Sequence, residues 1–143
     1  MILCPEDTAD MAAADIVSSL CTECGFGRIT ISSAEEHDRI IAYTSQLAHI
    51  VSGAYINSET AGRHSGFSAG SFRDMTRVAT LNAPMWTELM LQNSDNLKIE
   101  LDALISRLCE FSHMLERKDK DGLFALLREG GEKKAQYTRY EKP

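Results

Sequence analysis

Two side chains one helical turn apart, Ser45 and His49, set a hydroxyl beside an imidazole, a pair that supplies hydrogen-bond donors and acceptors to a bound molecule. At about 100° per residue they share a narrow stripe with Asp38, Ala42 and Ser52. Ile40, Thr44, Leu47, Val51 and Ala54 fall on the opposite side. That second set predicts an ordinary core face. The first is small and polar, which suits a helix lining a cleft rather than facing bulk water. Cationic groups cluster further along, at Arg63, Arg73 and Arg77. Cys21 and Cys24 form a CxxC, yet no second CxxC or histidine pair accompanies it, and both fall inside an expected helix. They are read as helix cysteines, and no metal site is expected.

The elements that must position these groups come from a chain of 143 residues, 43% hydrophobic and 25% charged, with a formal charge of −6. That composition fits a globular protein with one core or two small subdomains. Its acidity argues against general nucleic-acid binding, which needs a basic surface. No run approaches the length of a membrane span, and no signal-peptide pattern opens the chain, so a cytoplasmic protein without a membrane partner is expected.

In chain order, Met1 to Cys4 is a short apolar strand ended by Pro5. Asp7 or Thr8 then caps a helix that stops at Gly25, and Arg28 to Ser32 is a second strand rich in β-branched residues. This βαβ unit cannot make an independent sheet. Ser33, with Glu36 three positions on, forms a capping box for one long helix ending near Asn57. Glu59 to Gly70 reads as a glycine-rich loop of the kind that serves a site, and a helix follows from Ser71 to about Ala79. Pro84 opens the next helix, and a break at Asn93-Ser94-Asp95 caps another. In that one Leu97, Leu101, Leu104, Leu108, Phe111 and Leu115 make a heptad seam that requires a partner helix. A last helix from Lys120 is expected to end at Gly130-Gly131, leaving a charged, frayed tail.

The strings HDRIIAYTSQLAH (His37 to His49) and GSFRDMTRVATLNAPMW (Gly70 to Trp86) resemble the C-terminal helical domain of the prephenate/arogenate dehydrogenase family of tyrosine biosynthesis. The resemblance covers roughly Met1 to Arg128. It implies a mainly α fold, a helical-bundle dimerisation domain like the C-terminal domain of 6-phosphogluconate dehydrogenase, preceded by a βαβ remnant of a Rossmann domain. The expected divisions are 1–32 for the remnant, 33–130 for the dimerisation and substrate-binding domain, and 131–143 for the tail. The implied reaction is oxidative decarboxylation of prephenate to 4-hydroxyphenylpyruvate with NAD or NADP. Implied partners are a second copy of the chain, prephenate or tyrosine as ligand, and a separate nicotinamide-binding domain.

By the same resemblance, Arg77 clamps a substrate carboxylate, Ser45 and His49 face the ligand, and Gln46, Gly70 and Trp86 lie at the pocket. His37, Asp38, Arg73 and Asp74 are gate or supporting residues, the latter two as an ion pair. The chain departs from the family in two respects. Many members have SHLPH where this one has SQLAH, so Gln46 replaces a histidine and Ala48 a proline. No GxGxxG follows a strand, and the family's catalytic histidine, which belongs to the nucleotide-binding half, has no equivalent here. No catalytic residue, no tight cofactor binding and no turnover by the chain alone are therefore expected. Plainer readings stand beside these: His49 as a satisfied structural histidine, Arg77 paired with Asp74, Trp86 as a packing anchor, and the whole as a non-catalytic module binding tyrosine or prephenate, or a purely structural one. Arg63 and His64 on the glycine-rich loop are further candidates, and His113 reads as surface or dimer interface.

Overall fold

The computed structural model describes residues 1–138, without the side chains of Thr8 and Ala9; the end of the expected tail, 139–143, lies outside the described residues. It divides into two units, Met1–Glu100 and Leu101–Pro143.

The first unit opens with β1 (Ile2–Leu3), α1 (Thr8–Glu23) and β2 (Thr30–Ile31), and the strands pair in parallel with Ile2 opposite Thr30 and Leu3 opposite Ile31. Asp7 starts α1 as expected, its carboxylate accepting from the Asp10 amide at 2.8 Å. The helix stops where Gly25 adopts φ 86°, with Phe26 N–H donating to the Cys21 carbonyl and Gly25 N–H to that of Thr22. This is the left-handed exit that glycine makes without steric cost. β2 is shorter than the expected Arg28 to Ser32.

The long helix is present, but it is not uniform. It runs as α2 (Ala34–Ile41), a π turn (Ala42–Leu47) and α3 (Ala48–Ile56), capped by Ser33, whose hydroxyl accepts from Glu36 N–H at 3.1 Å. The expected capping box is only half made, because the Glu36 carboxylate turns to Arg39 instead, in a bidentate pair at 2.7 and 2.9 Å. That hydrogen bond holds the Glu36 carboxyl below its ordinary range. The expected loop contains a 3₁₀ turn (Glu59–Arg63) capped by Ser58, before α4 (Gly70–Thr76). This α4 is shorter than the expected helix. Asn82 then caps α5 (Ala83–Gln92) with Pro84 in its first turn, and α6 (Ser94–Glu116) begins after Asn93.

The second unit holds the later turns of α6 and α7 (Lys120–Thr138). Lys118 at φ 53° makes the turn, Asp119 N–H donates to the Met114 carbonyl, and the Asp119 carboxylate caps Gly122 N–H at 2.9 Å. Contrary to the sequence expectation, α7 does not stop at Gly130-Gly131. Ion pairs from Arg128 to Glu132 and from Glu129 to Lys133 span the glycines one turn apart and offset part of their cost. Along the seam Leu101, Leu104 and Phe111 are half-buried, while Leu108 and Leu115 remain 57% and 62% exposed. Phe124 and Leu127 of α7 are exposed as well. Among the described residues no helix is long and apolar enough to cross a membrane.

Candidate functional site

The side of the long helix that packs inward is the polar one. Ala42, Gln46, Leu47 and Ser52 are buried and His49 and Ser45 half-buried, whereas Ile40, Thr44 and Ala54 of the expected core face are exposed. Of that face only Leu47 is fully inside. The reason lies in what the polar residues find opposite them: backbone carbonyls at helix ends, which lack partners within their own helix. Ser52 Oγ donates to the Met75 carbonyl at 2.8 Å, and His49 Nδ1–H donates to the Val78 carbonyl at 3.0 Å. Gln46 Nε2 donates to the Leu89 carbonyl of α5 at 3.0 Å. Three side chains thus tie one helix to the end of α4, the turn after it and α5.

The π turn explains why Gln46 takes part. Projection at a uniform angle leaves Gln46 off both stripes. A turn that closes from residue i to i+5 adds a residue and moves it inward, and such bulges recur at functional sites. Gln46 is 5% exposed, and its amide oxygen accepts from Asn93 Nδ2 at 3.0 Å while the same nitrogen donates to the Asp38 carbonyl at 2.8 Å. Both ends of the Gln46 amide are therefore engaged within the protein.

His49 has a defined tautomer. A carbonyl oxygen only accepts, so Nδ1 carries the proton and Nε2 of the neutral ring is an acceptor. The ring lies against Trp86, centroids 4.0 Å apart and planes inclined at 56°. Arg77, at the C-terminal end of α4, sits between the two carbonyls held by Ser52 and His49, two residues after Met75 and one before Val78. Its guanidinium is exposed and, among the described residues, has no ion-pair or hydrogen-bond partner. The alternative pairing of Arg77 with Asp74 does not form. Nor does the expected ion pair between Arg73 and Asp74: both side chains are exposed, and adjacent positions on a helix diverge by about 100°.

The other expected residues are placed as follows. Ser45 is half-buried, with no hydrogen-bond partner for its hydroxyl among the described residues, and Gly70 opens α4. His37 Nδ1–H donates to Asp38 Oδ1 at 2.9 Å in the last-but-one turn before the π turn. Asn93, Ser52 and the carbonyls of Met75, Val78 and Leu89 were not foreseen as parts of the site. A regular projection puts Ser52 on the right stripe, but no sequence signal marks which carbonyls it and its neighbours reach.

A separate groove of about 740 Å³ runs along the glycine-rich segment, lined by Tyr55, Arg63, His64, Phe67 and Phe72 among others. His64 stacks on Phe72 at 4.4 Å, and its Nδ1 pairs with Ser68 Oγ at 2.9 Å. Of the substrate-binding residues implied by the resemblance none lines it, while Arg63 and His64, the further candidates, both do. The set of Ser45, His49, Trp86 and Arg77 carries the better chemistry, because it offers a guanidinium unpaired among the described residues and an imidazole oriented through Nδ1, whereas Phe67 in the groove is 93% exposed.

Neither place suits a dinucleotide. The connection from β1 to α1, where a phosphate would meet a helix N-terminus, is Cys4-Pro5-Glu6-Asp7, acidic and without glycine. Gly25 and Gly27 follow the C-terminal end of α1, whose dipole disfavours an anion. Neither end of α1 therefore carries the glycine-rich phosphate turn of a dinucleotide site.

Comparison with known proteins bears on the whole arrangement. Residues 33–129 match the family described as prephenate dehydrogenase, dimerization domain. Cyclohexadienyl dehydrogenase of Zymomonas mobilis is 33% identical over 135 residues, which are 90% of this chain and 46% of that protein. Prephenate dehydrogenase of Bacillus subtilis is 27% identical over 128 residues, 86% of this chain and 34% of that one. Among solved structures, prephenate dehydrogenase from Aquifex aeolicus, in complex with hydroxyphenyl propionate and NAD+, superposes with a TM-score of 0.78 at 24% identity, over 95% of this chain and 49% of that one. Synechocystis arogenate dehydrogenase superposes with a TM-score of 0.75 at 21% identity, over 95% and 51%. These last two likenesses establish the fold. The chain spans about half or less of the length of each of these relatives.

Proposed function

The chain belongs to the prephenate dehydrogenase dimerization-domain family, and on that premise we propose that it supplies the dimer contact and one wall of the substrate site of a dehydrogenase acting on prephenate or a close relative. The observation that carries this reading is Arg77. Its backbone is pinned on both sides by side chains of the central helix, and its guanidinium has no carboxylate of the protein to neutralise it among the described residues. A cation so placed suits a substrate carboxylate, to which arginine offers paired donors. His49, bonded through Nδ1 to the carbonyl of the next residue, Val78, has Nε2 left to meet a ligand, and the Ser45 hydroxyl lies one turn earlier on the same helix.

In the full reaction a hydride leaves the ring carbinol of prephenate, the carbinol proton is removed, and the ring carboxylate departs as CO2, leaving 4-hydroxyphenylpyruvate. NAD+ or NADP+ accepts the hydride when bound. That step and the base that takes the proton belong to the nicotinamide-binding half, on the same polypeptide or another. What this chain contributes is binding and orientation: Arg77 holds a carboxylate, His49 accepts a hydrogen bond through Nε2, and Trp86 closes the wall with an aromatic face. His37 and Asp38 support α2, and Gly70 leaves the start of α4 unencumbered.

The dimer reading rests on apolar surface that a single copy leaves uncovered. In the first unit this is Ile40 and Tyr43 of the long helix, and in the second Leu108, Leu115, Phe124 and Leu127. A second copy covers such faces in the proposed assembly, since interfaces of obligate dimers resemble a core divided in half. Light scattering should return twice the 15.9 kDa chain mass at micromolar concentration, and a monomer there contradicts the proposal. For the substrate wall, the test is calorimetric titration with prephenate and with tyrosine, using Arg77→Ala for comparison. Tyrosine binding without prephenate binding would instead indicate a sensing module.

A further inference from the structure

We infer that Gln46 and Asn93 are positioning residues: they lock the π turn of the central helix to α5 and thereby set the His49–Trp86 pair. The placement rests on three successive rungs between the central helix and α5 with the connection after it. Asn93 Nδ2 donates to the Asp38 carbonyl and to Gln46 Oε1, Gln46 Nε2 donates to the Leu89 carbonyl, and the His49 ring rests on Trp86. The rungs run antiparallel, so His49 lies three residues after Gln46 while Trp86 lies three residues before Leu89. The first two rungs are directional hydrogen bonds that meet at the buried Gln46 amide. The third, a ring contact inclined at 56°, has little orientation of its own: the Val78 carbonyl fixes the His49 ring, and the other two rungs fix where α5 brings Trp86 against it.

Gln46 suits this role because one side chain makes a donor bond and an acceptor bond at once. A buried amide with one end unmet would be costly, so either both bonds form or the turn rearranges. Asn93 closes the set. It donates through both amide hydrogens, and its own Oδ1 accepts from Asn96 Nδ2 at 2.8 Å, so its side chain is fixed by three partners. The inference rests on the reading of His49 and Trp86 as one wall of the ligand site, but it is tested without a ligand.

Trp86 is the single tryptophan, so its spectra report the third rung directly. The experiment compares the purified chain with Gln46→Met, which keeps the volume and removes both bonds, and with the milder Asn93→Ala. Far-UV circular dichroism monitors the helices. Near-UV circular dichroism and emission report Trp86, and a nitrogen-detected proton spectrum of the imidazole reports the His49 Nδ1–H bond. The expected result is retained helicity with loss of the Trp86 near-UV band, a changed emission maximum and exchange broadening of the His49 Nδ1–H signal. Asn93→Ala should change them in the same direction. Should Gln46→Met fail to fold, Asn93→Ala alone decides. Unchanged Trp86 and His49 signals in a folded variant overturn the inference. Failure of prephenate to bind the parent chain would count against the substrate reading and leave these signals as they are.

Discussion

Removal of the Ser52 hydroxyl tests whether the polar side of the central helix is what docks it. Ser52 is 2% exposed, and its Oγ donates to the Met75 carbonyl at 2.8 Å. In Ser52→Ala that hydrogen bond is lost, a net cost of about 1 kcal/mol, and the carbonyl stays in a packed position with nothing to replace the donor, which raises the cost to about 1–3 kcal/mol. The right comparison is Ser19→Ala. Ser19 Oγ also bonds a carbonyl, that of Asp15 at 3.0 Å, but on the exposed side of α1, so a change within about 0.5 kcal/mol is expected. Urea unfolding of both variants at one protein concentration gives the difference, since oligomerisation makes stability concentration-dependent. Ser52→Ala should also weaken any ligand held by Arg77, because the carbonyl two residues before Arg77 is released. A Ser52→Ala midpoint indistinguishable from that of Ser19→Ala would refute the docking argument.

Other perturbations read different parts of the chain. A methyl on Gly122 would run into the Met114 sulfur and the Asp119 carboxylate, so Gly122→Ala should destabilise despite the better helix propensity of alanine. Gly130→Ala meets nothing and should stabilise α7 by up to about 1 kcal/mol in thermal unfolding. The Glu129 carboxyl is held below its ordinary range by the Lys133 hydrogen bond and by Arg107. Its contribution is therefore present above the unfolded carboxylate value and lost as pH falls through the lower folded value. Glu129→Gln should flatten the acid side of the stability profile, and salt should shrink the difference. Arg77→Ala should lower affinity for a carboxylate ligand by roughly 10- to 100-fold, the worth of a charge-assisted bond, with thermal stability unchanged.

How far these features can be read from sequence depends on their physical range. Caps and stops were legible because they are local: Asp7, Gly25, Ser33 and Pro84 each act within a few residues. The parallel pairing of the first and second strands followed from the same order of elements. The extension of α7 through Gly130-Gly131 was missed because two ion pairs across the glycines offset part of their cost, and pairing is a matter of side-chain reach rather than composition. The inward face of the central helix was missed for a different reason. Hydrophobicity predicted a core of Ile40, Thr44, Leu47, Val51 and Ala54, while the packing within one chain is decided by donors seeking the carbonyls of Met75, Val78 and Leu89. Those acceptors are distant in sequence, and the π turn that brings Gln46 to one of them leaves no compositional trace. The apolar stripe still has a use in the proposed assembly, as surface for a second copy.

The substrate wall itself is most directly tested by nuclear magnetic resonance titration of the isotope-labelled chain with prephenate at millimolar concentration. The account predicts shifts confined to Arg77, His49, Ser45, Gly70 and Trp86, with the titration midpoint raised in Arg77→Ala by the same factor as the affinity loss. Shifts centred instead on the groove of Tyr55, His64 and Phe72, or no shifts at all, would contradict it.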